Sequence, residues 1–228
     1  MLVLGIDTSS AVGSIAVSRE GFPVVKRTIS VDMEHSGNLL PSLEELLQDV
    51  GIKAHDLDAV AVGVGPGSYT GVRVGIAFAK GLAYGLKVPV IGVCSFESML
   101  FKYSDFDGDI CTLEDAKMGG TYWAVYRWEN SEIYVVQAPK VSKTEDIEFI
   151  TSGRVLFLSP DIEKFVGPLR KNFDSHGQVE FKEAFPNAEY IAIRGELRLK
   201  DRHSGENLEP YYLRPSMAEL TWSRKKQT

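Results

Sequence analysis

With 228 residues, 44% of them hydrophobic and 25% charged, the chain has a globular composition and room for one large or two ordinary lobes. Its net charge of −6, with a pI near 5.3, argues against a protein that grips nucleic acid unaided, because neutralised phosphates supply most of that affinity. No apolar run is long enough to span a bilayer, and two cysteines without CxxC spacing, Cys94 and Cys111, suit neither a zinc knuckle nor a disulfide scaffold.

The opening MLVLGIDTSS lacks a basic segment and meets Asp7 early, so it is not read as a secretory signal, and a cytoplasmic protein without membrane attachment is expected. Leu2–Asp7, Gly13–Glu20 and Phe22–Ser30 read as three strands joined by compact turns, an antiparallel meander. The period then changes. Leu39, Leu40, Leu43, Leu46, Leu47 and Val50 share one helical stripe, with a start near Asn38 and a stop at Gly51. LDAVAVGVG is a buried strand of the parallel type, a helix from Thr70 to about Leu86 follows, and Val88–Cys94 is the next strand. Strand, glycine turn, helix and strand make a βαβ crossover, after which Ser95 is expected to cap a short helix.

At DFDGD, from Asp105, the texture breaks, which suggests a boundary near residue 104. DICTLED, GTYWAVYRW, EIYVVQAP, VLFLS and GQVEF read as strands, KTEDIEFI and NAEYIAIRGELRLKD as helices. The expected domains are a lobe of residues 1–103, with 208–221 packed on it, and a shorter lobe of 104–207. A basic end, Ser223 to Thr228, reads as a solvated tail. The order of elements predicts an α/β protein with the RNase H-like fold of the actin-like ATPases, two lobes facing across a cleft and the second reduced.

The glycine block Val62–Leu86 raises the question of a phosphate site. No lysine falls in P-loop register, and a GxGxxG pattern finds Ser68 in its third place. A strand-to-helix turn, GPGSYTG, remains as a secondary anion site. Gly71, Gly75, Ala79 and Ala83 recur every four residues, and glycine inside a helix costs about 1 kcal/mol relative to alanine, so close packing is the reason to expect. That bare ridge serves either the protein's own sheet or a second subunit. The adopted reading is docking, through Tyr69, Thr70, Val72, Arg73, Ile76 and Lys80, with Leu39, Leu40, Leu43 and Leu47 of the neighbouring helix.

The blocks LGIDTSS…VGSIAV, EHSGNLLPSLEELL, GVGPGSYTGVRVGIAFAKGLAYGLKVPVIGV, EDAKMGGTYWAVY and EPYYLRPSMAE come in the order seen in the TsaB (YeaZ) family. The chain resembles that family over nearly its whole length. The resemblance implies a subunit of the bacterial machinery that makes threonylcarbamoyladenosine beside the anticodon of tRNAs, paired with the catalytic paralogue TsaD and the ATPase TsaE. It implies tRNA contact only through the complex, and a two-lobed ASKHA fold. An exposed apolar stripe would make the chain a homodimer when alone.

TsaD proteins carry a His-x-x-x-His metal pair on the helix after the VPVIGV strand. Here Ser95 and Met99 stand at those places, and His35, His55, His176 and His203 have no ligand spacing, so neither a metal nor a catalytic residue is expected. Where the family reads Asp-Ala-Arg-Met-x-Glu-Val-Tyr, this chain has Lys117, Gly120 and Thr121, so a role for that glutamate is not carried over. The alternative is a stand-alone ATPase or kinase in which Asp7 positions a metal-bound water and Thr8, Ser9 and Ser10 meet phosphates. Against it, Asp7 reads as a turn carboxylate bonding local N–H groups. No cofactor is required by the preferred reading, which allows weak ATP or ADP binding.

Overall fold

The computed structural model describes residues 1–30, 39–151, 153–173, 177–200 and 208–214. Strands β1 (Leu2–Asp7), β2 (Val12–Arg19) and β3 (Phe22–Ser30) form the expected meander, with Gly5 opposite Ala16 and Asp7 opposite Ser14. Helix α1 (Leu39–Asp49), strand β4 (Ala59–Gly63), helix α2 (Tyr69–Leu86) and strand β5 (Val90–Val93) follow. The expected helix start at Asn38 lies outside the described residues. The five strands are ordered β3-β2-β1-β4-β5, with β1, β4 and β5 parallel.

Period two decides which helix covers which face of this sheet. Leu4, Ile6, Val60 and Val62 meet Leu39, Leu43, Leu46 and Leu47 of α1 and Val72, Ile76, Ala79 and Ala83 of α2 in one aliphatic core. The alternate positions are smaller: Val3, Ala59 and Ala61 face Ile191 and Ala192 of helix α5 (Ala188–Lys200). Gly5 lies so close to the α5 backbone that an added Cβ would fall 2.7 Å from the Ala192 nitrogen. Helix α5 was expected in the second lobe. It packs instead on β1, β2, β4 and β5, because the small residues of the first sheet give it a close seat.

The second sheet contains β6 (Asp109–Asp115), β7 (Thr121–Glu129), β8 (Glu132–Ser142), β9 (Val155–Ser159) and β10 (Val179–Glu183), ordered β10-β9-β6-β7-β8. Starting from β6, its pairing repeats that of the first sheet: antiparallel to β7, parallel to β9, and β9 parallel to β10. The second lobe is therefore complete in strands and reduced in helices. Where α1 fills the first lobe, the second has, among the described residues, a short 3₁₀ turn at Thr144–Asp146. KTEDIEFI is thus not a helix: Ile147 is buried and Phe149 tucks against the aromatic core as irregular chain.

Helix α3 (Ser95–Met99) links the lobes, with Cys94 rather than Ser95 at its N-cap position. Helix α4 (Glu163–Phe173), unforeseen in the sequence and interrupted by Gly167 and Pro168, covers β9 and β10 with Phe165, Leu169 and Phe173. The basic segment Ser223–Thr228, His35, His176 and His203 lie outside the described residues.

Candidate functional site: the interlobe cleft

Asp7 ends the central strand of the first sheet and is 1% exposed. Its Oδ1 accepts from the Ser9 backbone N–H at 2.9 Å and the Ser9 hydroxyl at 2.6 Å, and its Oδ2 accepts from the Ser95 hydroxyl at 2.7 Å. Burial pushes the Asp7 carboxyl up from its ordinary range, against the pull of the Ser9 and Ser95 bonds. The neighbouring groups are committed too. Thr8 donates to the Gly71 carbonyl at 2.7 Å, Ser10 donates to the Val12 carbonyl at 2.7 Å, and the Ser9 carbonyl accepts from the Ser68 N–H at 2.6 Å. Ser95, expected as a helix cap, instead ties together two turns of the first lobe: it donates to Asp7 and accepts from the Gly65 N–H at 3.1 Å.

These bonds explain the glycines of α2. A Cβ on Gly71 would strike the Thr8 carbonyl, and one on Gly75 would strike the Thr8 hydroxyl. The bare ridge therefore faces the protein's own β1–β2 turn, not a partner, and Ala79 and Ala83 belong to the same core. Of the four residues expected to meet phosphates, only Ser10 lines the cleft between the lobes; Asp7, Thr8 and Ser9 lie behind it. The turn's carboxylate and hydroxyls do not fit a metal–phosphate group without breaking bonds already made.

The cleft encloses about 950 Å³ and is bounded by Ser10 and the start of α2 on one side and by Glu114, Asp161 and Arg214 on the other. Glu114, next to the end of β6, was missed in the sequence. Burial lifts its carboxyl well above the usual range, the negative charge of Asp7 adds to this, Lys117 opposes it, and Asp161 and Asp115 add again. Its Oε2 has no hydrogen-bond partner. The sequence signal was the acidic pair Glu114–Asp115 ending a strand that corresponds in topology to β1. Among the described residues no group of three or more His, Cys, Asp or Glu is placed to hold a metal.

The ten residues expected at a partner surface divide evenly. Leu39, Leu43, Leu47, Val72 and Ile76 are core residues, each at most 6% exposed, so the docking assignment fails for these five side chains as they stand. Leu40, Tyr69, Thr70, Arg73 and Lys80 are exposed on α1 and α2. Arg73 is already engaged: its guanidinium lies 4.1 Å from the Tyr69 ring centroid and 5.5 Å from that of Tyr212, and its Nε donates to the Tyr212 hydroxyl. Tyr84, 89% exposed further along α2, was not foreseen. No helix among the described residues is long and apolar enough to cross a membrane.

Residues 29–175 match the family described as TsaD, tRNA N6-adenosine threonylcarbamoyltransferase. The chain is similar to the tRNA threonylcarbamoyladenosine biosynthesis protein TsaB of Bacillus subtilis (strain 168), 31% identical over 226 residues, which covers 97% of this chain and 98% of that protein. It is likewise similar to TsaB of Escherichia coli (strain K12), 32% identical over 232 residues, covering 96% of each. In three dimensions it resembles YeaZ from Pseudomonas aeruginosa with a TM-score of 0.76 at 23% identity, over 93% of this chain and 99% of the other.

Proposed function

The chain belongs to the TsaB family of tRNA threonylcarbamoyladenosine biosynthesis proteins, and we propose that within that pathway it is a non-catalytic subunit supporting a TsaD-type paralogue. The observation that carries this reading is the state of Asp7. In a phosphoryl-transfer enzyme of this fold the corresponding carboxylate must be available to a metal-bound water. Here it is enclosed by Ser9 and Ser95, and the family resemblance puts Ser95 where the paralogue has its first metal histidine. The reading needs no cofactor, places the protein in the cytoplasm, and assigns weak ATP or ADP contact to the cleft wall around Ser10 and Tyr69.

Docking of the paralogue is assigned to the outer faces of α1 and α2, through Leu40, Tyr69, Thr70 and Lys80, with Tyr84 extending the surface. The same face would pair two copies when the protein is alone. A TsaE-type ATPase joins the assembly, and tRNA is met through the complex.

A pull-down with the TsaD-type and TsaE-type proteins, with and without ATP, tests the reading. Leu40→Glu together with Lys80→Glu should weaken capture of the paralogue at least about tenfold while leaving the melting temperature unchanged, since both side chains point to solvent. Leu43→Glu, by contrast, should unfold the first lobe, because it places a charge in the core. Full-strength capture by the Leu40→Glu/Lys80→Glu variant would move the docking site elsewhere. ATP or tRNA turnover by the purified chain alone at an enzymatic rate would overturn the non-catalytic role.

A further inference from the structure

The segment 208–214 runs along the first lobe and ends on the second. Leu208 packs on the aliphatic core, the Tyr211 N–H donates to the Val64 carbonyl at 2.7 Å, and Tyr212 stacks on Tyr69 with centroids 5.1 Å apart and planes at 23°. Arg73 lies over both rings. Two residues later the chain reaches the β6–β7 turn, where Arg214 Nη1 donates to the Lys117 carbonyl at 3.1 Å. That carbonyl also accepts from the Gly120 N–H at 3.0 Å, and Gly120 in turn accepts from the Ala116 N–H at 2.9 Å.

Gly120 is informative. Lys117, Met118 and Gly119 carry the left-handed conformations of this turn, at φ of 60°, 51° and 73°, whereas Gly120 does not. Its backbone therefore does not call for glycine; the space does. An added Cβ would fall 2.9 Å and 3.0 Å from the two terminal nitrogens of Arg214. Gly120 is a notch, and the guanidinium sits in it.

We propose that residues 208–214 are a strap that fastens the two lobes across the cleft, with Arg214 seated at Gly120 as its attachment to the second lobe. The strap is held to the first lobe at three successive points and to the second by the Arg214 contact. Loosening either end lets the cleft widen, since Tyr211, Tyr212, Leu213 and Arg214 all border it. A hydrogen bond from a charged donor is strong enough for its loss to shift a local opening equilibrium by an order of magnitude.

Hydrogen exchange of the full-length protein, followed at residues 116–120, tests the strap. Arg214→Ala and Gly120→Ala should each accelerate exchange there about tenfold, the second by pushing the flexible arginine from its notch. Tyr212→Ala should also accelerate it, although Tyr212 belongs to the other end of the strap. Rates within twofold of wild type in both Arg214→Ala and Tyr212→Ala would overturn the proposal. So would acceleration by Arg214→Ala with none from Tyr212→Ala, which would make Arg214 a local brace of the turn.

Discussion

The two sheets share one strand order and one pattern of parallel and antiparallel pairing, yet they are packed by opposite means. The first lobe is filled by leucine, isoleucine, valine and alanine, and four of its glycines are points of close approach: Gly5 to α5, Gly63 to Asp7, Gly71 and Gly75 to Thr8. The core of the second lobe is aromatic, with Phe157 stacked on Phe181 at 5.2 Å and edge-on to Phe173 at 5.2 Å. Its Gly119 and Gly153 serve turns, with open space around them, whereas Gly108 and Gly177 lie close against the Arg154 and Gly153 backbones. The topology thus does not prescribe the packing. The core of one lobe is filled by aliphatic side chains, and that of the other largely by rings.

Substitutions that exchange these two solutions test the contrast. Phe157→Ala should be among the costliest, about 3–5 kcal/mol in denaturant titration, because it empties the centre of the aromatic cluster. Gly63→Ala should cost about 3 kcal/mol, since the new methyl would sit 2.7 Å from both Asp7 Cγ and Ser95 Oγ and would break the bonds between them. Gly119→Ala, with space on every side but φ at 73°, should cost only about 1 kcal/mol, through backbone strain alone. Gly81→Ala, in α2 with nothing within 4 Å, should stabilise by about 0.5–1 kcal/mol. If Gly81→Ala and Gly63→Ala cost the same, the close-approach account of the first lobe fails.

Glu114 offers a smaller effect with a defined sign. Burial raises its carboxyl in the folded protein, so the fold retains a proton that the unfolded chain has released. Stability contributed by the neutral carboxyl is complete below the unfolded range and declines as the pH rises toward the folded value. Glu114→Gln removes that dependence. Its melting temperature relative to wild type should rise as the pH climbs above the ordinary glutamate range, until the folded carboxyl ionises; a constant difference would contradict the raised carboxyl.

Most of the strands were legible, because alternation in β2 and continuous apolar runs in β1, β4 and β9 follow directly from one-faced and two-faced burial. Failures came where a residue answers to something distant in sequence. Ser95 has the chemistry of a helix cap but bonds to Asp7, 88 positions away. The glycine ridge suggested an outward face, yet the Thr8 backbone is what fills it. Helix α5 carries its own periodicity but not the identity of the sheet it covers. Helix α4 was different: Phe165, Leu169 and Phe173 recur every four residues, a signal present in the sequence although Gly167 and Pro168 interrupt it. Of the cleft, Ser10 was expected as a phosphate contact, and Tyr69, expected as a docking residue, lines it as well. Glu114 and Arg214 could not be named in advance, since their meaning depends on the facing lobe.

The central claim is that this chain contributes to threonylcarbamoyladenosine formation as a partner and not as the catalyst. Its most direct test is a reconstituted tRNA modification assay with Asp7→Asn, which keeps the shape of the turn but removes the charge. With the TsaD-type and TsaE-type proteins present, the variant should support modification within about threefold of wild type, and neither form should modify tRNA by itself. A loss of a hundredfold or more in folded, complex-forming Asp7→Asn would contradict the account and make Asp7 part of the chemistry.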